Sequence, residues 1–242
     1  MIDILLAGVG GQGTVLAAKV LAQAAQSKGW QVRTAETIGM AQRGGNVTSH
    51  VRMGSNGEAV YSPLITPGTA DMVIALEPGE AARALPYLAP AGVLVTATTA
   101  IQPVTAALAS QPYRAGDVVA ALANSLQAEA SREQAAEVAV ASSAATTIQD
   151  ANAPGVEGYP VPLFIPVDDE ALVREAGAGS RKSLNMMLLA VAVAQGRVPL
   201  TVDELKDAVR ACVKPQFVAM NLAAIDTAVA NFGYQRASDN LL

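Results

Sequence analysis

The chain is poor in the residues that carry most redox, metal and nucleic-acid chemistry. Its 242 residues include one cysteine, one histidine and one tryptophan. A single thiol, Cys212, excludes an intrachain disulfide and any iron–sulfur cluster ligated by this chain's own thiolates. Charged residues make up 15% and aromatics 4%, and 16 Lys plus Arg stand against 21 Asp plus Glu, a formal net charge of -5. No basic run interleaves with aromatics, so nucleic acid is not an expected partner. No apolar stretch approaches the roughly 20 residues that span a bilayer, and Met1 to Gly8 carries Asp3 where a secretory leader carries basic residues. No membrane partner is expected, and the expected location is cytoplasmic.

What is abundant is apolar. Hydrophobic residues are 51% of the chain, much of that alanine, which is unusually apolar for a free-standing monomer and predicts a large partner interface. The length suits one large domain with a substantial core. The expected organisation is a single domain, 1–242, with a helical insertion near 115–158.

The hydrophobic pattern predicts an α/β fold. Ile2 to Ala7 reads as a buried strand, Thr14 to Ser27 as an alanine-rich helix closed by Gly29, and Trp30 to Ala35 as a second strand. Asn46 to Met53 alternates strictly, with Asn46, Thr48, His50 and Arg52 on a polar face. The turn residues Ser55 to Glu58 predict a hairpin to a short strand through Tyr61. Met72 to Leu76 and Gly92 to Thr96 are strands flanking a short helix, Gly79 to Leu88, and they deliver Glu77 to the carboxyl edge where open sheets bind ligands. An alanine-rich excursion follows, with a capping-box pattern at Ser131 to Gln134. Leu163 to Val167 returns as a strand. The C-terminal third reads as helical: Ser183 to Gln195 is apolar nearly all round, and Thr201 to Glu204 is a capping box. Val218, Leu222, Ile225 and Val229 form one stripe after Pro215.

Between the first strand and first helix lies Gly8-Val9-Gly10-Gly11-Gln12-Gly13, which satisfies the G-x-G-x-x-G pattern of a dinucleotide loop. Glycines permit the tight turn, and a helix N-terminus favours phosphate. Glu36 sits near where an acidic ribose ligand is expected, so an independent NAD(P)-binding oxidoreductase is one reading. The other is that the glycines serve a tight turn and close packing. Gln12 places a long amide inside the loop, and the second strand runs into "TIGMAQRGGNVTSHVR" rather than a crossover helix.

The segments "GVGGQGTVLAAKVLAQAA", "AETIGMAQRGGNVTSHVR", "VYSPLITPGTADMVIALEP" and "LNMMLLAVAVA" together resemble the gamma-type subunits of the 2-oxoacid:ferredoxin oxidoreductases, and within them the beta subunits of the indolepyruvate enzymes. The resemblance covers roughly 1 to 105 and 163 to 231. Residues from about Gln127 to Gly158 exceed the compact members of the family. The resemblance implies a Rossmann-like three-layer sandwich with a mostly parallel sheet, an antiparallel hairpin, the alanine-rich helical excursion and C-terminal helices.

It also implies a heteromeric complex. Thiamine diphosphate, magnesium and iron–sulfur clusters would lie on a larger partner chain, with ferredoxin accepting electrons. The complex would convert a 2-oxoacid, indolepyruvate or another aryl pyruvate, and coenzyme A into acyl-CoA and carbon dioxide. This chain, inactive alone, would carry no catalytic residue and no metal. The candidate cofactor-binding residues are Gly8, Gly10, Gly11, Gln12 and Gly13 of the first turn, Arg43, Gly44 and Gly45 of the second glycine segment, Thr48 of the polar strand, and Glu77. Arg43 supplies a planar fork suited to carboxylate or phosphate, and an ordinary structural ion pair is the competing reading. A purely structural subunit is a further alternative.

Overall fold

A computed structural model describes residues 1–39, 45–55, 57–101, 113–128, 162–177 and 181–232. Six strands form one sheet: β1 (Ile2–Val9), β2 (Gln31–Ile38), β3 (Asn46–Gly54), β4 (Ala70–Ala75), β5 (Leu88–Ala97) and β6 (Leu163–Val167). Their spatial order is β2-β3-β1-β4-β5-β6. The ladders β1/β4, β4/β5 and β5/β6 are parallel, and β3 runs antiparallel to both of its neighbours.

The antiparallel hairpin is therefore present but has a different partner from the one the turn at Ser55 to Glu58 suggests. That turn forms, with Glu58 N–H donating to Ser55 O at 3.2 Å, yet 58–61 is not a strand. Strand β3 turns back on β2 instead, pairing Ile38 with Val47 and Gln31 with Gly54. It also inserts between β2 and β1, pairing Ile2 with Met53 and Val9 with Asn46. Half of its inter-strand bonds are thus to β1, far from it in sequence, which local turn chemistry cannot show.

Helices pack on both faces, which is why the central strands are apolar throughout rather than alternating. Helix α1 (Thr14–Ser27) lies on one face with Ala17, Ala18, Ala24 and Ala25 almost wholly buried. Small side chains let the helix axis approach the sheet closely. The same face carries α5 (Leu184–Ala194), α6 (Val202–Cys212) and α7 (Pro215–Phe232). In α5, Leu184 through Val193 are all buried, as an all-apolar helix requires. The capping box of α6 is complete, with Thr201 Oγ1 accepting from Glu204 N–H and Glu204 Oε2 from Thr201 N–H.

On the opposite face lie α2 (Pro78–Ala84) and α3 (115–128), packed through Ala81, Ala84, Leu122 and Leu126 onto Leu5, Val73 and Leu94. A 3-10 turn, Leu85–Tyr87, ends the α2 segment where Pro86 breaks the helical bonding. Helix α4 (Asp169–Glu175) follows β6. The capping-box pattern at Ser131 and the rest of the expected insertion beyond 128 lie outside the described residues. Among the described residues, no helix is long and apolar enough to cross a membrane.

Candidate functional site

The chain leaves β1 leftward over α1 to β2, while β4 continues rightward to β5. The glycine turn therefore sits where the sheet's winding changes direction, the point at which open α/β sheets leave a crevice. Gly11 and Gly13 adopt φ of 100° and 83°, a left-handed backbone that glycine enters without penalty. Gly8 is held close for a different reason: a Cβ there would lie 2.8 Å from Thr14 Oγ1 and 3.0 Å from Gln12 Oε1.

Gln12 is turned inward. Its Oε1 accepts the Val9 N–H at 2.6 Å, and its Nε2 donates to Leu76 O at 2.8 Å. The amide thus ties the end of β1 to the end of β4. A second clasp comes from the other end of the chain, where Asn185 Nδ2 donates to Gly13 O at 3.0 Å and Asn185 Oδ1 accepts the Met186 N–H. A Cβ on Gly13 would stand 2.5 Å from that amide.

These contacts bring two helix starts together. Neither α1 nor α5 has a side-chain cap at its N-terminus, and neither has an acid in its first turn. Three helices behave differently: α2, α4 and α6 are capped by Glu77, Asp168 and Thr201, respectively, and carry acids in their first turns. The N-termini of α1 and α5 bound a cavity of 620 Å³ lined by Gly10 through Gly13, Leu16, Ile101, Arg181, Lys182, Leu184 and Asn185. Two positive dipole ends, two cations and no acid among the described residues make this lining complementary to an anion.

Arg181 is fixed from behind. Its Nη2 lies 2.6 Å from Asp169 Oδ2, meeting it as a charge rather than as an aligned hydrogen bond. Asp169 is fully buried, and its other oxygen accepts the N–H groups of Thr98 and Thr99 at 3.1 and 2.9 Å. Lys182, beside it, is exposed. The pair is not among the expected site residues; its one local mark is "RKS" directly before an apolar helix without an acidic start, which does not place it beside the glycine turn.

The remaining candidates are dispersed. Gly45 supports the turn through its carbonyl, which accepts the Gly10 N–H at 2.8 Å. Arg43 and Gly44 lie outside the described residues. Thr48 faces the other side of the sheet, where it lines a smaller cavity with His50. Glu77 is buried, with Oε2 capping α2 through the Glu80 N–H and Oε1 accepting from the Tyr113 hydroxyl at 2.6 Å. Both of its oxygens are engaged within the chain.

Arg52 braces the edge, with Nε on Asp3 at 2.9 Å and Nη1 on the carbonyls of Ser62 and Leu64. Glu36 sits on β2, and β3 separates that strand from β1, so it stands one strand spacing, about 5 Å, farther out than an adjacent second strand would place it. Cys212 is half-buried, and burial pushes its thiol pKa up, as for a small core residue rather than a reactive thiolate. Asn221 donates to Phe217 O in its own helix, whereas Asn185 reaches out of its helix to the Gly13 carbonyl of the turn.

Comparison with known proteins agrees with this architecture. The family model described as pyruvate ferredoxin/flavodoxin oxidoreductase matches residues 3–231. A protein of Archaeoglobus fulgidus named indolepyruvate oxidoreductase subunit IorB is 30% identical over 238 residues, covering 98% of this chain and 95% of its own. Its namesake from Pyrococcus horikoshii is 29% identical over 227 residues, 94% of each chain.

Among solved structures, the gamma subunit of a keto/oxoacid ferredoxin oxidoreductase from Geobacter sulfurreducens aligns over 95% of this chain and 97% of that one, with a TM-score of 0.57 and 18% identity. The 2-oxoglutarate:ferredoxin oxidoreductase of Magnetococcus marinus, solved with 2-oxoglutarate, coenzyme A and succinyl-CoA bound, aligns over 95% of this chain and 30% of that chain, with a TM-score of 0.58 and 18% identity. The chain belongs to the pyruvate ferredoxin/flavodoxin oxidoreductase family.

Proposed function

We propose that this chain is the small subunit of a thiamine diphosphate-dependent 2-oxoacid:ferredoxin oxidoreductase acting on indolepyruvate or another aryl pyruvate, and that its glycine-turn cavity receives a phosphate of coenzyme A. The observation that carries the second part is the convergence of two uncapped helix N-termini with Arg181 and Lys182 on one cavity that no acid lines among the described residues. Such a lining fits a phosphate without further assistance. The first part rests on the family and on relatives whose names describe indolepyruvate oxidoreductase subunits.

A larger partner chain holds the thiamine diphosphate, magnesium and iron–sulfur clusters in this reading, and passes electrons to ferredoxin. One cysteine cannot ligate a cluster. Bound coenzyme A supplies the thiol that accepts the acyl group. The residues of this chain bind and orient its phosphate: the N–H groups at the α1 and α5 starts point at the anion, Lys182 adds a mobile charge, and Gln12 and Asn185 keep both starts in place. An aryl substrate rather than a short one is supported by the relatives' names alone.

The test is steady-state kinetics of the reconstituted complex with coenzyme A and with pantetheine, which carries the thiol without the phosphates. Lys182→Met is expected to raise the KM for coenzyme A roughly 10-fold, the size of one charge-assisted hydrogen bond, and to leave that for pantetheine unchanged. Equal effects on both thiols, or none on either, overturn the phosphate assignment in favour of a purely structural subunit, whose turn variants alter assembly and leave kinetics intact.

A further inference from the structure

Across the sheet from the glycine cavity, between β2, β3 and α2, lies a second cavity of 210 Å³. His50, the only histidine of the chain, is 4% exposed and lines it. Its Nδ1 accepts the Ile65 N–H at 3.2 Å, and burial lowers its pKa, so the ring is neutral near pH 7 with its proton on Nε2. That N–H meets no acceptor among the described residues. Tyr87 holds the ring edge-on, at 5.9 Å between centroids and 76° between planes, so Nε2 has a fixed direction.

Other donors surround it. Thr48 lies two residues before His50 on the same face of β3, and Thr37 stands opposite Thr48 on β2. Arg83 rises from α2 at the rim with one nitrogen on Glu80, and its remaining N–H groups have no partner among the described residues. Glu80 is the single acid among the described lining residues, and its Oε1 is paired with Arg83. Leu5, Ala7 and Ala84 form an apolar floor.

We propose that this cavity is a binding site for a short-chain carboxylate, whose oxygens take the His50 Nε2–H, the threonine hydroxyls and the Arg83 fork while its few carbons rest on the alanine and leucine floor. Donors around an apolar base suit an acceptor-only head group. The volume is below the roughly 300 to 1,000 Å³ of sites for larger molecules, which suits a small acid. The site is independent of the glycine turn and of coenzyme A.

Because the chain has a single histidine, its imidazole nitrogens give one set of signals in the full-length protein labelled with 15N-histidine. Titration with butyrate near neutral pH is expected to shift the Nε2 signal saturably, with no such shift for butyramide or for chloride at equal concentration. Arg83→Gln should weaken half-saturation at least about 10-fold. Thr48→Val, which keeps a β-branched residue in the strand, should weaken it severalfold and serves where Arg83→Gln does not fold. An absent or unsaturable butyrate shift, an equal response to butyramide, or unchanged half-saturation in the folded variants overturns the proposal.

Discussion

Asn185 donates its side-chain N–H to the carbonyl of Gly13 at 3.0 Å, joining residues 172 positions apart. The bond fixes the start of α5 against the start of α1, and the space Gly13 leaves by lacking a Cβ is the space the Asn185 amide fills. Gly13→Ala should therefore lose about 2 kcal/mol, because alanine is strained at φ of 83° and its Cβ overlaps the amide. Asn185→Ala should lose about 1 kcal/mol. In the double variant the overlap is gone and only the strain remains, so urea denaturation should show a loss smaller than the sum.

Gln12 holds two backbone groups at once, the Val9 N–H and the Leu76 carbonyl. Gln12→Ala should cost roughly 2 kcal/mol through two lost bonds. Gln12→Glu should fall between, since its carboxylate still accepts from Val9 but offers Leu76 no donor. Denaturation midpoints of the three proteins rank them.

Arg181 and Lys182 are neighbours with separable duties. Removing Arg181 leaves the fully buried Asp169 without its cation, so Arg181→Met should destabilise by about 3 kcal/mol. Lys182 is exposed, and Lys182→Met should change stability by less than about 0.5 kcal/mol. Thermal melts of both variants check this, and the unaltered stability of the second lets its effect on coenzyme A be read as binding.

Glu204 accepts from Lys28 Nζ at 2.6 Å and from the Thr201 N–H, and the hydrogen bond from Lys28 is the largest reason its pKa lies below the ordinary carboxylate value. A depressed folded pKa gives stability that is complete above the unfolded value near 4.5 and is lost as pH falls through the folded one. Lys28→Met should flatten that acid limb of the stability profile between the unfolded value near 4.5 and the folded pKa below it. Denaturation at a series of acidic pH values measures the difference between the two proteins.

Much of the architecture is legible in the residues. The alternation through Asn46 to Met53, the all-apolar run of α5 and the Thr201 capping box each belong to one segment, and each forms as its pattern requires. The insertion of β3 between β1 and β2 is not legible, because its partner β1 is chosen by burial of a distant strand rather than by the adjoining turn. The candidate site divides in the same way. The glycine turn is readable as a local backbone requirement, whereas Arg181 and Lys182 enter only because α5 crosses the sheet to meet α1. Glu77 and Arg52 look available in sequence, and both are engaged by groups from other segments, Tyr113, Asp3 and the Ser62 to Leu64 carbonyls.

The measurement that bears most directly on the account is purification of the tagged chain from its native cell, followed by identification and cofactor analysis of whatever accompanies it. The account predicts a larger chain in stoichiometric amount that contains thiamine diphosphate and iron, in a complex that reduces ferredoxin only when both an aryl pyruvate and coenzyme A are present. A chain that purifies alone and binds NAD or NADP tightly would contradict it.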